Sequence, residues 1–308
     1  MNSSPVGSPD RIESPLQLHR VLDPLIAADA ALTTLRLSGQ LSAWAQRLGP
    51  PLNPKLSQMC CACAAYVAPW LSLSGLYAAA QTLLWIFAID TYTDGPEHGP
   101  DVRDEIARLH AVAHGGGGTD EDVLTQALGE IRDSVAGLRW GAVLESRWQR
   151  AADDNLTGSL FEFEAAQDVS RGLPAPALPD YLMQASGSIA LSLVAIALWA
   201  DMPDPGLPDL LEVLDPVLAD ASLALRLSND LRGHAREQAE GTLDALTLGM
   251  SPDDLARMRD TALDRAHSAL RPLIERGCAT AIALERLIVW CVRHYQRIDP
   301  GHEPSQVA

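Results

Sequence analysis

The sequence predicts an all-α protein whose helices form one domain. Leu and Ala dominate the composition, and both residue types favour helices. No stretch shows the apolar/polar alternation of a strand, and no internal repeat is found. The 308 residues are 47% hydrophobic, enough to bury a sizeable core. We expect one helical domain over residues 16–301, between a disordered, Ser/Pro-rich N-terminal tail at residues 1–15 and a C-terminal tail at residues 302–308.

Breaker residues divide the first part of the chain into helical segments. A helical pattern covers residues 16–48 and ends at the Gly-Pro-Pro run at residues 49–51. The next predicted helix, at residues 55–70, contains three cysteines. The helix at residues 76–93 is apolar almost all round, so we expect it to be central in the fold. A polar loop through Pro100 follows.

The second part of the chain is divided in the same way. Four glycines at residues 115–118 precede a helix that is predicted to start at Thr119. A long helix at residues 138–172 ends before a proline-rich connection. The remaining predicted helices cover residues 181–200, the segment around Asn229, residues 252–276 and residues 278–298.

The charge of the chain limits its partners. The formal net charge is −17, whereas proteins that bind nucleic acid need basic patches, so no nucleic-acid partner is expected. An acidic protein can still bind an anionic substrate when divalent metal ions lie between them. The five cysteines are interpreted as reduced core residues, and neither they nor the eight histidines are expected to form a zinc site.

The apolar segments are not expected to enter a membrane. The chain does not open with the charged and apolar regions of a signal peptide. The longest uncharged run, at residues 181–200, fits a core helix better than a membrane span. We therefore expect a cytoplasmic protein without a membrane span.

The most informative stretch has polar positions spaced by four residues. Asn229, Gly233 and Glu237 fall at i, i+4 and i+8, so they lie along one face of a helix. An amide oxygen and a carboxylate are ligands of the type that suits Mg²⁺. The apolar residues before them indicate a buried helix, on which two polar groups are costly unless a metal compensates them. The alternative interpretation is a solvated acidic helix end.

Two further acids end the most apolar predicted helix. Asp90 and Asp94 are also four residues apart. Phe87 and Ile86 lie one turn before Asp90 on the same face, and Leu83 lies a further turn back. The carboxylates would thus stand at a rim with apolar side chains beneath them. Taken alone, this pair fits an ordinary acidic helix end equally well.

The segment Arg-Leu-Ser-Asn-Asp-Leu-Arg-Gly-His-Ala-Arg-Glu, which begins at Arg226, resembles the second metal-binding motif of class I terpene synthases, Asn-Asp-x-x-Ser/Thr/Gly-x-x-x-Glu. It is most similar to the form found in kaurene-synthase-type diterpene synthases. The segment at Asp90 resembles the family's Asp-Asp-x-x-Asp motif, with Thr91 at the second position. The resemblance extends over residues 40–300 and implies a helical barrel that encloses an apolar cavity.

The resemblance implies a role for each matching residue. The implied cofactor is Mg²⁺, three ions per active site, with a water completing the shell beside the glycine. The implied metal-binding residues are Asp90, Asp94, Asn229, Gly233 and Glu237. Of these, the implied catalytic residues are Asp90, Asn229 and Glu237. The implied diphosphate-binding residues are Arg236, Arg226, Arg293 and Tyr295. The implied pocket residues are Phe87, Ile86, Leu83, Trp85, Ser186, Ser188 and Trp290. Two alternatives stay open: residues 186–188 as a helix-packing patch, and Arg293 as a solvated cation.

The same resemblance implies a substrate class. Many sesquiterpene synthases carry a diphosphate-sensing Arg where this chain has Met183 and Gln184, and labdane-related diterpene synthases tend to lack it. The favoured substrate is therefore a copalyl-like C20 diphosphate, and the alternative is farnesyl diphosphate. A catalytically inactive helical binding protein is a third hypothesis, because Thr91 and Gly233 depart from the strict motifs.

The resemblance also bears on partners. The chain lacks the Asp-x-Asp-Asp motif of protonation-initiated cyclases, so a separate class II cyclase would have to supply a bicyclic substrate. The resemblance is compatible with a homodimer.

Overall fold

The computed structural model describes residues 23–94, 101–117 and 122–297, and within these ranges all regular structure is helical. The predicted tails at residues 1–15 and 302–308 lie outside the described residues. The α-helices are numbered here α1 (Pro24–Leu48), α2 (Ser57–Val67), α3 (Leu73–Asp94), α4 (Val102–Ala113), α5 (Val123–Ala136), α6 (Gly141–Ser170), α7 (Leu178–Ser188), α8 (Leu191–Trp199), α9 (Leu207–Glu240), α10 (Pro252–Ile274) and α11 (Ala279–Arg297). A short 3₁₀ turn, Pro54–Leu56, precedes α2. The prediction of an all-α fold is confirmed.

Local chemistry sets the helix ends. Asp23 caps α1 by accepting hydrogen bonds from the first amides of the helix, and Gly49 ends it with a φ of 95°. Ser251 caps α10 in the same way through the amide of Asp254. Gly241 ends α9 in the left-handed conformation, at a φ of 78°. These residues explain why the breaker pattern of the sequence locates most helices within a few residues.

The region after α3 differs from the prediction. The sequence analysis assigns no helix between residues 94 and 119, where the structure has α4. It also starts the following helix at Thr119, whereas α5 begins at Val123 after the capping residue Asp122. Charged residues cover the exposed side of α4 and leave a narrow apolar stripe, which makes its pattern easy to take for a loop.

The most apolar helix, α3, is central. It packs against α1, α2, α5, α6 and α8. Trp85 is completely buried within it, and its indole N–H donates to the carbonyl oxygen of Leu124 at 3.2 Å. One continuous hydrophobic core extends from α1 to α11 around this helix. Cys60, Cys61 and Cys63 are buried free thiols in that core, as predicted.

The predicted helix at residues 181–200 is broken in two. Ala190 stands between α7 and α8 with a φ of 53°, the only non-glycine residue with positive φ among the described residues. A residue with a Cβ is rarely found in this region, and such sites are over-represented where function demands a particular backbone. The break redirects the chain beside α9, which packs against α7, α8, α10 and α11.

Two helical stretches are apolar and long enough to cross a membrane by composition alone, Leu73–Thr93 and Leu178–Trp199. More than half of each apolar window, 61% and 56%, is buried inside the fold, and a core helix passes the same test. The second stretch also contains the break at Ala190. The structure thus places both stretches in the protein core.

Candidate metal and diphosphate site

A buried arginine organises the polar motif on α9. The guanidinium of Arg226, a residue only 6% exposed, binds Asn229 Oδ1 through Nη2 at 2.6 Å and Asp230 Oδ1 through Nε at 2.5 Å. Its Nη1 binds Glu162 Oε1 on α6 at 2.8 Å, and its Nη2 lies 3.8 Å from Glu237 Oε1. Because its nitrogens face these side chains, Arg226 positions the motif. The sequence-based assignment of Arg226 to diphosphate binding stays a prediction.

Asp230 fixes α9 to its surroundings. Its carboxylate accepts hydrogen bonds from the Tyr181 hydroxyl on α7 at 3.3 Å and from the amide of Ala245 at 3.0 Å. The Tyr181 hydroxyl also lies 3.3 Å from the carbonyl oxygen of Leu243, and its ring stacks under the Arg226 guanidinium at 5.8 Å. The side chain of Asp230 is therefore used in full by the fold, whereas Asn229 Oδ1 accepts only from Arg226 among the described residues and, as an amide oxygen, has a second lone pair.

Glu237 carries the unsatisfied oxygen of the site. The residue is 5% exposed, its Oε2 is buried, and Oε2 has no hydrogen-bond partner among the described residues. Its Oε1 lies 3.4 Å from Arg236 Nη2. Burial raises the pKa of Glu237 to about 9, against a partial opposing effect of Arg226. A buried, unpaired carboxyl oxygen is costly, and a divalent cation would remove that cost.

Gly233 leaves the space that Glu237 occupies. A Cβ built at this position would come within 2.5 Å of Glu237 Oε1 and 3.0 Å of its carboxyl carbon. The absence of a side chain thus lets the carboxyl group fold back along the helix towards Asn229. Gly233 contributes to the site through this space, and no ligand atom of its own is needed.

The donor set fits a hard divalent cation. Asn229 and Glu237 offer amide and carboxylate oxygens on one face of α9, and one of these oxygens is buried without a partner. Among the described residues no group of three His, Cys, Asp or Glu side chains converges on one point as a closed metal site would. At sites with few protein ligands, Mg²⁺ commonly completes its coordination with substrate phosphates or water.

One acid of α3, Asp90, approaches the same region. Asp90 is exposed and directly follows the buried residue Ile89. The helix ends at Asp94, whose side chain lies outside the described part of the structure. Burial raises the pKa of Glu162, Arg226 and Ser188 oppose the rise, and the Asp90 carboxylate adds to it. Glu162 therefore binds Arg226 directly and lies near enough to Asp90 for the two carboxylates to interact electrostatically.

An apolar cavity of about 90 Å³ lies beneath both motifs. Phe87 and Ile86, one turn below Asp90, line it from α3, and Leu225, one turn below Asn229, lines it from α9. The other lining residues are Met59, Cys60, Cys63, Leu83, Ile189, Leu191, Val194, Leu287, Trp290, Cys291, His294 and Tyr295. The predicted pocket residues Phe87, Ile86, Leu83 and Trp290 are thus at this cavity.

Three predicted pocket residues lie elsewhere. Trp85 faces the core on the other side of α3, held by its hydrogen bond to Leu124. Ser186 lines a different, larger groove of about 890 Å³, and its hydroxyl donates to the Leu182 carbonyl. The Ser188 hydroxyl donates to the carbonyl of the residue three before it and lies beside Glu162, not on the cavity wall.

The helix-packing alternative for residues 186–188 is supported. A Cβ at Gly187 would come within 2.6 Å of the backbone oxygen of Asp154 on α6. A Cβ at Gly158 would come equally close to the backbone of Gln184. The small residues therefore allow α6 and α7 to approach each other closely, which brings Glu162 to the site.

The two predicted diphosphate-binding residues of α11 lie in different environments. Tyr295 lines the cavity, whereas Arg293 is exposed and donates to Gln296 at 3.1 Å. Arg293 and Tyr295 are two residues apart, or about 200° around the helix, so their side chains point to nearly opposite sides. The exposure of Arg293 favours the alternative of a solvated cation, and its assignment to diphosphate binding stays a prediction. His294 lines the cavity beside Tyr295.

Several residues of the site are missed by sequence analysis. Glu162, Tyr181 and His294 reach it from α6, α7 and α11, and only the packing of these helices shows it. A histidine pair is missed too: His110 and His114 are four residues apart on α4. Their rings lie 2.7 and 2.8 Å from the two carboxylate oxygens of Asp153, so the spacing serves a hydrogen-bonded cluster between α4 and α6.

The geometry defines a class of protein before any comparison. Oxygen ligands for a divalent cation stand above an apolar cavity inside a fold of helices. Such a site suits an enzyme whose substrate has an anionic head and a hydrocarbon body.

The comparisons identify the family. The description "Terpene synthase family 2, C-terminal metal binding" matches residues 81–271, a range that contains both motifs. The chain belongs to this family, and it is a class I terpene synthase. Family membership makes it an enzyme, so the hypothesis of an inactive binding protein is set aside.

Relatives agree with this assignment. The chain is 26% identical to the ent-pimara-9(11),15-diene synthase of Streptomyces sp. strain KO-3988 over 268 residues, which are 86% of this chain and 90% of that protein. The linalool/nerolidol synthase of Streptomyces clavuligerus has a similar fold, with a TM-score of 0.66 at 17% identity, covering 85% of this chain and 94% of that one. The ancestral reconstruction SVS_A2 reaches a TM-score of 0.68 at 17% identity, covering 86% and 84% of the two chains.

Proposed function

We propose that the protein is a class I diterpene synthase that ionises a labdane-type, copalyl-like C20 diphosphate and converts the carbocation to a diterpene hydrocarbon or alcohol. The observation that carries the proposal is the shared cavity. Phe87 below Asp90 and Leu225 below Asn229 line the same apolar space, so one substrate can place its diphosphate at both motifs and its carbon skeleton beneath them.

The proposed cofactor is Mg²⁺, with three ions per site. Asp90 and Asp94 would hold ions from α3, and Asn229 and Glu237 would hold one from α9. The ions supply Lewis-acid neutralisation of the negative charge that develops on the leaving diphosphate. Arg236 and Tyr295 are the proposed diphosphate contacts of the chain itself. Arg226 keeps Asn229 and Glu237 in register for this task.

The cavity walls have a part in excluding water. At about 90 Å³ the cavity is well below the roughly 300–1,000 Å³ of pockets that hold small molecules. The walls formed by α2, α8 and α11 must therefore separate when a substrate binds. A wall that closes on the hydrocarbon keeps water from a carbocation until the skeleton has formed.

Two observations support the C20 assignment. The relative with 26% identity is a diterpene synthase by name, and the motif at Asn229 has the kaurene-synthase form. A bicyclic substrate requires a supplier, so an upstream class II cyclase is the proposed pathway partner. A cytoplasmic location and a homodimer complete the proposal.

Farnesyl diphosphate is the second candidate substrate. The small cavity favours it, because a C15 chain needs less displacement of the walls than a C20 bicycle. A solved structure of the linalool/nerolidol synthase with 2-fluorogeranyl diphosphate also shows that a related fold holds a shorter diphosphate.

A substrate panel tests the proposal. The purified protein is incubated with geranyl, farnesyl, geranylgeranyl and copalyl diphosphates, with Mg²⁺ or with chelator. Pyrophosphate release and products by gas chromatography are measured. We expect kcat/KM for copalyl diphosphate to exceed that for farnesyl diphosphate at least about tenfold, or ~1.4 kcal/mol. A tenfold preference for farnesyl diphosphate would replace the C20 assignment by the C15 one.

A further inference from the structure

The apolar cavity contains one nitrogen base. Of the described residues that line it, only His294 has a side-chain nitrogen with a lone pair available for protonation, since the indole nitrogen of Trp290 is a donor. His294 lies on α11, half-buried, on the same wall as Trp290. Nothing in the family's two metal motifs assigns this residue a role.

The hydrogen bond of His294 sets its tautomer. Nδ1 lies 3.0 Å from the carbonyl oxygen of Trp290, one turn earlier in α11. A carbonyl oxygen can only accept, so Nδ1 carries the hydrogen in the neutral ring and Nε2 carries the lone pair. No partner of Nε2 is found in the part of the chain that the structure describes. Nε2 is also the ring nitrogen further from the helix backbone.

Stacking holds the ring in place. The His294 and Trp290 rings stack with centroids 4.7 Å apart, and Tyr66 stacks on Trp290 with centroids 5.8 Å apart. A ring fixed by a hydrogen bond and a stack is a positioned base. The indole face beside it would stabilise the imidazolium form through a cation–π contact.

The other polar groups of the cavity are weaker candidates. A hydrogen bond with Cys291 and burial raise the pKa of the Cys63 thiol, and burial raises that of Cys60, so both remain protonated. Tyr295 is a phenol, a far weaker base than imidazole. Imidazole is the side chain suited to accept a proton near neutral pH.

We infer that His294 is the general base that ends the reaction, an inference that rests on the proposed function. A C–H bond next to the cationic carbon breaks, its electron pair forms the new C=C bond, and the proton goes to Nε2. The imidazolium then donates through both nitrogens, Nδ1 still to the Trp290 carbonyl, and it loses the added proton to water when the product leaves.

Two variants with different shapes test the inference. His294→Phe keeps an aromatic ring for stacking and His294→Gln keeps a polar amide, but neither can accept the proton. Gln296→Ala, an exposed position on the same helix, is the matched control. Wild type and variants are incubated with copalyl diphosphate, and with farnesyl diphosphate in parallel. Pyrophosphate release measures ionisation, gas chromatography measures how the cation is quenched, and circular dichroism verifies folding.

We expect the amount of the main hydrocarbon formed per pyrophosphate released to fall at least about fivefold in both His294 variants, since a general base contributes roughly 10²–10⁴-fold. Both should lose the same hydrocarbon, because they share only the missing base. An unchanged product pattern in the variant that folds overturns the inference, and so does a loss of pyrophosphate release with unchanged products. Different losses in the two variants also overturn it, because they indicate an effect of shape. If the wild type ionises neither diphosphate, the proposed function itself has failed.

Discussion

Arg226 Nη2 lies 2.6 Å from Asn229 Oδ1, and the same nitrogen lies 3.8 Å from Glu237 Oε1. One buried cation thus holds the two motif oxygens that are two helical turns apart. In an isolated helix these side chains would sample several rotamers. The guanidinium fork fixes them together before a substrate arrives, since it is planar and its donors point in set directions.

The first prediction concerns the ligands themselves. Asn229→Ala and Glu237→Ala should each lower Mg²⁺-dependent pyrophosphate release about a hundredfold or more, or ~2.7 kcal/mol, because each removes an oxygen from the metal shell. Helicity by circular dichroism should remain that of wild type. Gln238→Ala, exposed on the same helix, is the control. Near-normal turnover in both ligand variants would show that the metal lies elsewhere.

The second prediction concerns Arg226. Arg226→Gln leaves the buried carboxyl groups of Asp230 and Glu237, and the half-buried one of Glu162, without their shared cation, which should cost about 3–5 kcal/mol in the free energy of unfolding. Arg226→Lys keeps the charge and should lose less of the free energy of unfolding. Because lysine lacks the planar fork of donors, this variant should need a higher Mg²⁺ concentration for half-maximal activity. Urea unfolding and Mg²⁺ titration measure the two effects. The exposed Arg232→Gln is the matched control, and an equal loss there contradicts the prediction.

The third prediction separates stability from metal binding at one residue. In Gly233→Ala the new Cβ would displace the Glu237 carboxyl, which is the flexible end of a side chain. Unfolding free energy should therefore stay level or rise by up to ~1 kcal/mol from helix propensity. The Mg²⁺ concentration for half-maximal activity should rise at least about tenfold, an effect of the size seen when groups that orient metal ligands are removed. If Mg²⁺ dependence is unchanged, the cleft beside Gly233 has no part in placing Glu237.

The fourth prediction is a pH dependence. Glu237 has a pKa of about 9 in the folded protein against 4.5 ordinarily, so its burial favours folding fully below pH 4.5 and this contribution is lost as pH rises through 9. Burial also raises the pKa of Glu105, to about 7. Glu105 therefore lowers the unfolding free energy with rising pH in the same direction, but only up to about pH 7. Between pH 7 and 8.5 in chelator, stability should fall with a slope of at most about 1.4 kcal/mol per pH unit from this residue. The free energy of unfolding of Glu237→Gln, measured with urea, should depend less on pH than that of wild type. Equal slopes in the two proteins would show that Glu237 does not have the raised pKa.

The fifth prediction concerns α3. Asp90→Ala should reduce pyrophosphate release more than Asp94→Ala, because Asp90 stands directly above the cavity residues Phe87 and Ile86. Thr91→Asp should be tolerated, since Thr91 is exposed and its hydroxyl bonds only to the Phe87 carbonyl among the described residues. Steady-state pyrophosphate assays of the three variants measure this order. Negligible effects of both Ala variants would mean that the departure at Thr91 marks a lost site.

Sequence reasoning succeeds where chemistry and spacing are local. The helical class, most helix positions and the i, i+4, i+8 face at Asn229 follow from periodicity and breakers. It also finds Phe87 as a cavity residue, because that residue is one turn from Asp90 on the same face.

Long-range packing sets the rest. Glu162 reaches Arg226 across 64 residues of sequence, and no local pattern singles it out among forty acidic residues. Ser188, the last residue of α7, lies beside Glu162 and not on the cavity wall, and the helix breaks two residues later at Ala190. On α11, His294 and Tyr295 line the cavity while Arg293 is exposed, an outcome that depends on how the helix is rotated against its neighbours.

The hydrogen bond from the Ala245 amide to Asp230 ties the segment after α9 to the centre of the ion network. The amide proton can exchange with solvent only when its hydrogen bond to Asp230 breaks. Its exchange rate therefore reports on the integrity of the network. In a hydrogen-exchange experiment without substrate, the protection factor of this amide would measure how often the hydrogen bond to Asp230 breaks. The same resonance could rank ligands and variants by how strongly they stabilise the network.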